Sequence, residues 1–292
     1  MGADYLAVSF PRNADDMNEA RRRLREAGSD ARLVAKIERT EAIENLEEII
    51  AASDAVLIAR GDLGVEIGDA ELPGVQKRLI QIARNMNRVV ITATQMMQSM
   101  VDSQMPTRAE VFDVANAVLD GTDAVMLSEE TAAGKYPVKV VEAMDRICLG
   151  AERQKLSPNS RHRVNTEFRD IDEAIAMAAM YTANHLGVRA IAALTESGST
   201  PQWMSRISSG IPIYAVTRHV ATRRKVTLYR GVYPVAFDIT VRSHAENNKA
   251  IIDDMIKRGS VCDGDVVIIT KGDLAGVHGG TNALKILRVG DL

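Results

Sequence analysis

RLVAKIERTEAIENLEEIIAASDAVLIARGDLGVEI, residues 32–67, reads as strand, helix, strand. Residues 32–38 (RLVAKIE) and 55–59 (AVLIA) are nearly continuous apolar runs, as parallel strands covered on both faces require. Residues 41–52 between them space their apolar side chains for one face of a helix. The same unit recurs outward in both directions. Strand-like runs stand at 4–10 (DYLAVSF), 89–93 (VVITA) and 124–127 (AVML), and helical spacing at 15–27, 72–87, 108–119 and 138–149. Pro106-Thr107 and Pro137 mark helix starts, and Gly28 sits just past a helix end.

The first half is therefore a βα repeat. Its strand-to-helix junctions carry the unusual polar residues: Lys36 and Glu38, Arg60-Gly61-Asp62, Thr94-Gln95, and Ser128-Glu129-Glu130-Thr131. In a β/α barrel the C-terminal strand ends form the active-site face. A closed barrel needs eight units and roughly 250 residues, and only five units are found here. Two readings stay open, an open doubly wound sheet and part of a barrel whose first strands are absent. The chain opens directly on a strand, which points toward the second.

Residues 150–168 are polar and aperiodic, as a linker is. The expected organisation is a partial barrel over 1–150, a linker over 151–168 and a second α/β domain, an αβα sandwich, over 169–292. In that domain a helix at 170–186 ends at Gly187. Strands are expected at 190–194, 212–216, 232–237, 266–270 and 284–289, and helices at 201–208, 219–228 and 243–258. The sheet reads as open and mostly parallel, with the last two strands antiparallel across the Gly-rich loop 271–282. Thr195-Glu196-Ser197-Gly198-Ser199-Thr200 follows a strand and opens a helix. Its amides and hydroxyls suit an anion, although an ordinary Ser/Thr cap reads the same way.

Composition narrows the function. A formal net charge of -3 argues against a general nucleic-acid binder. No apolar run approaches a membrane span, and the N-terminal residues read as a strand and not a signal peptide. The two cysteines, Cys148 and Cys262, match no CxxC pattern and read as buried free thiols of a reducing cytoplasm.

Lys36 and Glu38, two apart on a strand, point to one face. Asp62 follows at the next strand end, so Glu38 and Asp62 suit one hard cation, Mg²⁺ or Mn²⁺. A salt bridge at a strand mouth is the plainer reading of the Lys36–Glu38 pair. No His/Cys cluster suggests zinc; His162, His185, His219, His244 and His278 are scattered, and none is given a catalytic role. A cation, Lys36 and the Thr94 hydroxyl together suit enolate or phosphoryl chemistry, and Gly61 lets a substrate approach the backbone.

The stretches LVAKIERTEAI (33–43), LIARGDLGVEI (57–67), VVITATQMMQSM (89–100), PTRAEVFDVANAVLDGTDAVMLSEETAAGKYP (106–137) and ALTESGST (193–200) resemble pyruvate kinase, in order and over essentially the whole chain. The likeness is to the bacterial type activated by AMP or sugar phosphate. It implies barrel strands four to eight and the whole C-terminal domain, without the first three strands and the lid. It implies transfer of phosphate from phosphoenolpyruvate to ADP, giving pyruvate and ATP in glycolysis. Lys36 matches the lysine that stabilises the enolate and the transferring phosphoryl group. Glu38 and Asp62 match the Mg²⁺ carboxylates, Gly61 and Asp62 the backbone contacts to substrate, and Thr94 the threonine of substrate binding and proton delivery. Thr195, Ser197, Gly198, Ser199 and Thr200 match the allosteric phosphate pocket. The resemblance also implies K⁺, with its ligands in the absent part, and a cytoplasmic homotetramer.

Several features depart from that pattern or set its limits. With part of the site absent, the other reading is a catalytically silent chain that keeps effector binding. A lyase acting on phosphoenolpyruvate or pyruvate with Mg²⁺ shares the carboxylates but not the second domain. Glu129 stands where the family has a small residue. Glu196 and Asp273 are expected to repel a bisphosphate and favour a monophosphate effector. Arg218, Arg223, Arg224 and Lys225 could offset that charge, although a solvated helix face is the plainer reading of them. The two edges of an open five-stranded arc are expected to drive self-association.

Overall fold

The computed structural model describes residues 2–154, 167–168, 170–207, 209–240, 244–273 and 279–291. The chain divides into two compact units, Met1–Lys155 and Leu156–Leu292. Most of the expected linker (155–166), His162, Ser208, and His278 with its neighbours in the Gly-rich loop lie outside the described residues.

The first unit runs β1 (Tyr5–Val8), α1 (Ala14–Glu26), β2 (Arg32–Ile37), α2 (Thr40–Glu44), α3 (Leu46–Ala52), β3 (Ala55–Ala59), α4 (Arg60–Ile67) and α5 (Leu72–Asn85). It continues with β4 (Val89–Ala93), a 3₁₀ turn (Gln98–Val101), α6 (Arg108–Asp120), β5 (Ala124–Met126), α7 (Glu129–Ala132) and α8 (Pro137–Gln154). All five strands are parallel and pair in chain order, β1-β2-β3-β4-β5. A doubly wound sheet reverses order at a switch point; this sheet does not, so its order is that of barrel wall. Alternation gives each strand two faces. Leu33, Ala35 and Ile37 of β2, Val56 and Ile58 of β3, and Val90 of β4 join Met17, Ile49, Ile50, Leu79 and Ile80 from the helices in one core. Each fully buried large side chain contributes about 1.5–3 kcal/mol. Lys36 alternates with that set and so lies on the opposite face.

An aspartate pins the register at two strand starts. Asp54, just before β3, accepts the Leu33 amide at 2.9 Å, and Asp123, just before β5, accepts that of Val90 at 2.9 Å. Ser53-Asp54-Ala55-Val56 and Thr122-Asp123-Ala124-Val125 are thus one local device used twice. Burial pushes the Tyr5 phenol on β1 up to about 12.

Four details differ from the sequence reading. Of the two thiols expected to be buried, Cys148 is half-buried and Cys262 is exposed. The helix expected over 41–52 is two helices broken at Asn45, whose side chain donates to the Arg12 carbonyl at 2.9 Å. Helix α8 runs on to Gln154, so residues 151–154, expected in the linker, are helical. Helices α4 and α7 stand at strand ends where only polar loops were read.

The second unit runs α9 (Ile171–Leu186), β6 (Ala190–Leu194), α10 (Ser199–Ser205), β7 (Ile213–Thr217), α11 (Val220–Val226), β8 (Val232–Ala236), α12 (His244–Lys257), β9 (Val266–Gly272) and β10 (Thr281–Arg288). The sheet order is β10-β9-β6-β7-β8, parallel except for the antiparallel β9–β10 pair. Strand β6 (AIAAL) is buried throughout at the centre. Strand β8 is an edge, which is where Pro234 costs no ladder hydrogen bond. Order reverses between β6 and β9, so the crevice beyond their C-terminal ends is the switch point where open α/β sheets take ligands. No helix among the described residues is long and apolar enough to cross a membrane.

Candidate active site and effector loop

Two clusters stand at the strand mouths of the first unit. In one, Lys36 Nζ lies 2.6 Å from Glu38 Oε1 and donates to Ser9 Oγ at 3.1 Å. Glu38 is 1% exposed, and its Oε2 accepts the Phe10 amide at 2.9 Å. Phe10 takes a left-handed backbone, φ 55°, to present that amide. Oε1 makes an ion pair but no hydrogen bond. A buried carboxylate oxygen needs a cation to face it, and the Lys36 ammonium is that cation.

In the second cluster, the Thr94 hydroxyl accepts the Gly61 amide at 2.8 Å and donates to the Ala93 carbonyl at 2.7 Å. Gly61 lies in the first turn of α4, whose preceding residue Ala59 has no capping side chain. Thr94 therefore serves that free amide from another strand. Thr94 and Gln95 both have positive φ, 65° and 53°. Such non-glycine conformations cost about 1–3 kcal/mol each and persist where surrounding contacts impose them. The contacts are present. Arg60, buried at the start of α4, donates to the Ala93 and Thr94 carbonyls, and Glu130, fully buried in α7, accepts the Met97 amide at 3.1 Å. Asp62 is exposed and, among the described residues, makes no hydrogen bond or ion pair.

Strand register seats the end of β2 beside that of β3, Ile37 opposite Ile58, so Glu38 and the Gly61-Asp62 turn leave neighbouring strands. Among the described residues no group of three or more His, Cys, Asp or Glu gathers as a ready metal cage. Mg²⁺ needs none, since it commonly takes one or two carboxylates and completes its shell with water and substrate phosphate. Glu38, whose Oε1 faces the Lys36 ammonium, and the exposed Asp62 are two carboxylates of the kind that role takes.

At the switch point of the second unit, the Thr195 hydroxyl accepts the Gly198 amide at 2.8 Å, and Gly198 has φ +84°. Ser199 donates its hydroxyl to Asp172 at 3.2 Å, and the Thr200 and Thr281 hydroxyls meet at 2.8 Å. The loop is internally satisfied, with every hydroxyl of Thr195, Ser197, Ser199 and Thr200 bonded within the fold. Two charge expectations change here. The Glu196 carboxylate pairs with His219 and lies 3.6 Å from Arg218, so its charge is balanced and the repulsion argument against a bisphosphate loses Glu196. Lys225 is no solvated face, for its ammonium donates to the Ser197 carbonyl at 3.0 Å.

Residues 1–141 match the family profile described as pyruvate kinase, barrel domain, and residues 173–287 that of the pyruvate kinase alpha/beta domain. The chain belongs to the pyruvate kinase family. Pyruvate kinase II of Salmonella typhimurium is 56% identical over 294 residues, 99% of this chain and 61% of that one. The pyruvate kinase of Buchnera aphidicola subsp. Baizongia pistaciae is 54% identical over 293 residues, again 99% and 61%. That of Geobacillus stearothermophilus is 42% identical and covers the whole chain against 50% of its own length. The chain thus spans about 61% of the length of the first two relatives.

Against this family background, the sequence reading brought out Lys36, Glu38, Gly61, Asp62 and Thr94, noted Arg60 and Glu130 among the polar junctions without giving them a role, and missed Ser9 and Asp113, which also shape the surroundings. Arg60 had a visible signal, a guanidinium placed directly after five apolar strand residues. Glu130 sat in a quoted polar run with nothing to mark it as buried. Glu129, the departure from the family pattern, accepts a hydrogen bond from Gln98 Nε2 at 3.0 Å and so ties α7 to the 3₁₀ turn.

Proposed function

We propose that this chain carries phosphoryl-transfer chemistry of the pyruvate kinase kind. Phosphoenolpyruvate and ADP give pyruvate and ATP. The bond from the enol oxygen to phosphorus breaks, a new one forms to a β-phosphate oxygen of ADP, and the enolate carbon takes up a proton. The observation that carries this reading is the Lys36 ammonium held between Glu38 and Ser9 at a barrel-wall strand mouth. Lys36 offsets negative charge developing on the enol oxygen and the transferring phosphoryl group. Gly61, with no side chain, lets the substrate carboxylate approach the Asp62 backbone amide, and the Thr94 hydroxyl, which accepts the Gly61 amide, stands beside them to bind substrate and guide the proton. Glu38 and Asp62 would hold Mg²⁺, whose chemistry is charge neutralisation on the phosphoryl oxygens. K⁺ belongs to the same reading, with no residue of this chain assigned to it.

Thr195, Ser197, Gly198, Ser199 and Thr200 are the proposed seat of a phosphate-bearing effector such as AMP or a sugar monophosphate, supported by their place at the switch point. Homo-oligomeric assembly, as a tetramer in the cytoplasm, completes the proposal. Because the chain spans about 61% of its first two relatives, a second reading is effector binding without turnover.

The test is pyruvate formation from phosphoenolpyruvate and ADP with Mg²⁺ and K⁺, beside a Lys36→Met variant. Turnover abolished by Lys36→Met is the expected result. Equal rates in parent and variant would sink the active-site assignment. Absent turnover together with saturable AMP binding by calorimetry would select the second reading.

A further inference from the structure

We infer that Arg60, oriented by Asp113, is the positioning residue that sets the Thr94 hydroxyl against the Gly61 amide. The inference deepens the proposed function, in that it takes Thr94 and Gly61 to face the substrate.

Arg60 is the first residue of α4, and its side chain is 7% exposed. A guanidinium so buried requires acceptors for its donors. Nε reaches the Ala93 carbonyl at 3.3 Å and that of Thr94 at 3.2 Å, and Nη2 reaches the Thr94 carbonyl at 2.8 Å. Nη1 reaches both oxygens of Asp113, on α6, at 2.7 Å. The acceptors are thus the peptide units on either side of the left-handed Thr94, and two N–H groups converge on its carbonyl. Turning Thr94 back to an ordinary conformation would swing that carbonyl away from both.

The contact is reciprocal. The Arg60 side chain holds the main chain of Thr94, while the main chain of Gly61, one residue on, donates to the side chain of Thr94. Neither half is local, so one depends on the other. A lysine at position 60 keeps the charge but lacks the fork, and cannot serve Asp113 and two carbonyls together. Asp113 is partly exposed and makes no substrate contact in the proposed chemistry; it turns the fork.

The experiment uses the full chain and two variants, Arg60→Lys and Asp113→Asn. Gly61 stands in the first turn of α4, so its amide has no partner within the helix and reports the Thr94 contact directly. Amide hydrogen exchange resolved by NMR should show Gly61 protection falling by about ten-fold or more in Arg60→Lys, and by less in Asp113→Asn. The Leu33 amide, bound to Asp54 in the same unit, should stay protected. Where turnover is measurable, Arg60→Lys should lower kcat with little change in KM, and in a Thr94→Ala background it should change nothing further. Unchanged Gly61 protection, or full additivity with Thr94→Ala, would overturn the inference by leaving Arg60 a mere tie between β4 and α6. If Leu33 protection is lost in Arg60→Lys, Asp113→Asn alone decides. A parent chain without turnover defeats the proposed function, and the exchange result still decides the role of Arg60.

Discussion

Replacing Glu130 with glutamine should loosen the loop that carries Thr94 while leaving the rest of the first unit intact. The carboxylate is fully buried and accepts two amides, Met97 at 3.1 Å and Ser128 at 2.7 Å. Hydrogen bonds to a charged group contribute about 1.5–3 kcal/mol each. Glutamine keeps one acceptor oxygen and turns an NH₂ toward the other N–H, so one bond is lost and one donor is left unmet. The buried charge disappears too, which offsets part of the loss. A net cost of about 2–3 kcal/mol follows, or roughly 30- to 150-fold faster local opening. Hydrogen exchange read by mass spectrometry on peptides covering 94–101 and 124–132 measures it directly. Peptides from β2 and β3 should not change. A cost below about 0.5 kcal/mol, or a loss spread evenly over the unit, would refute the view that this carboxylate holds the loop.

Thr107→Ala removes the hydroxyl of a complete capping box at the start of α6 and should cost about 1 kcal/mol in urea unfolding. Burial pushes the Glu110 carboxyl up, but hydrogen bonds from Ser99 and Thr107 outweigh it and leave it below the usual range. Its stabilisation is therefore complete at neutral pH and fades as the pH falls through the lowered value. Glu110→Gln should accordingly be less stable than the parent at pH 7, with the gap closing in titrations carried well below 4.5. Gly198→Ala forces a side chain into a left-handed position 2.9 Å from Val226 Cγ1 and should cost about 1–2 kcal/mol. The single tryptophan, Trp203 on α10, reports that unit by fluorescence. Ile58→Ala, in the core between sheet and helices, should cost about 3 kcal/mol by chemical denaturation.

Much of this architecture is legible in the residues because parallel strands announce themselves. Residues 55–59, 89–93 and 190–194 are strands with the same bounds in sequence and structure, since a nearly continuous apolar run of five residues is short for a helix and suits a strand buried from both sides. Helix α4 escaped because its start signal is not beside it. Gly61 and Gly64 weaken the helical pattern, and the cap is Thr94, 33 residues away. The site shows the same limit. Lys36 and Glu38 stand out as charges where a strand should be apolar. The buried partners of Thr94 reach it through backbone carbonyls and amides, and main-chain acceptors leave no trace in residue identity. The left-handed turn at Thr94-Gln95 is likewise imposed by contacts and not by a glycine. At the 195–200 loop, charge counting treated Glu196 as free because its partner His219 lies on the next strand-to-helix connection.

Strand order also says when each sheet can form. In the first unit every strand finds its partner in the next one along the chain: Tyr5 with Arg32, Val34 with Ala55, Ala55 with Val89, Ile91 with Ala124. Such short loops are entropically cheap to close, and the wall can zip up as it leaves the ribosome. In the second unit β6 gains β7 early, Ile191 with Ile213, but its other flank waits for β9, Ala190 with Val267. Until that late strand is made, an uncharged AIAAL edge stays bare, and a bare edge of that kind pairs with whatever strand it meets. Ribosomal pausing before residue 266, or premature release there, would therefore leave the second unit with a bare central strand that its finished sheet covers.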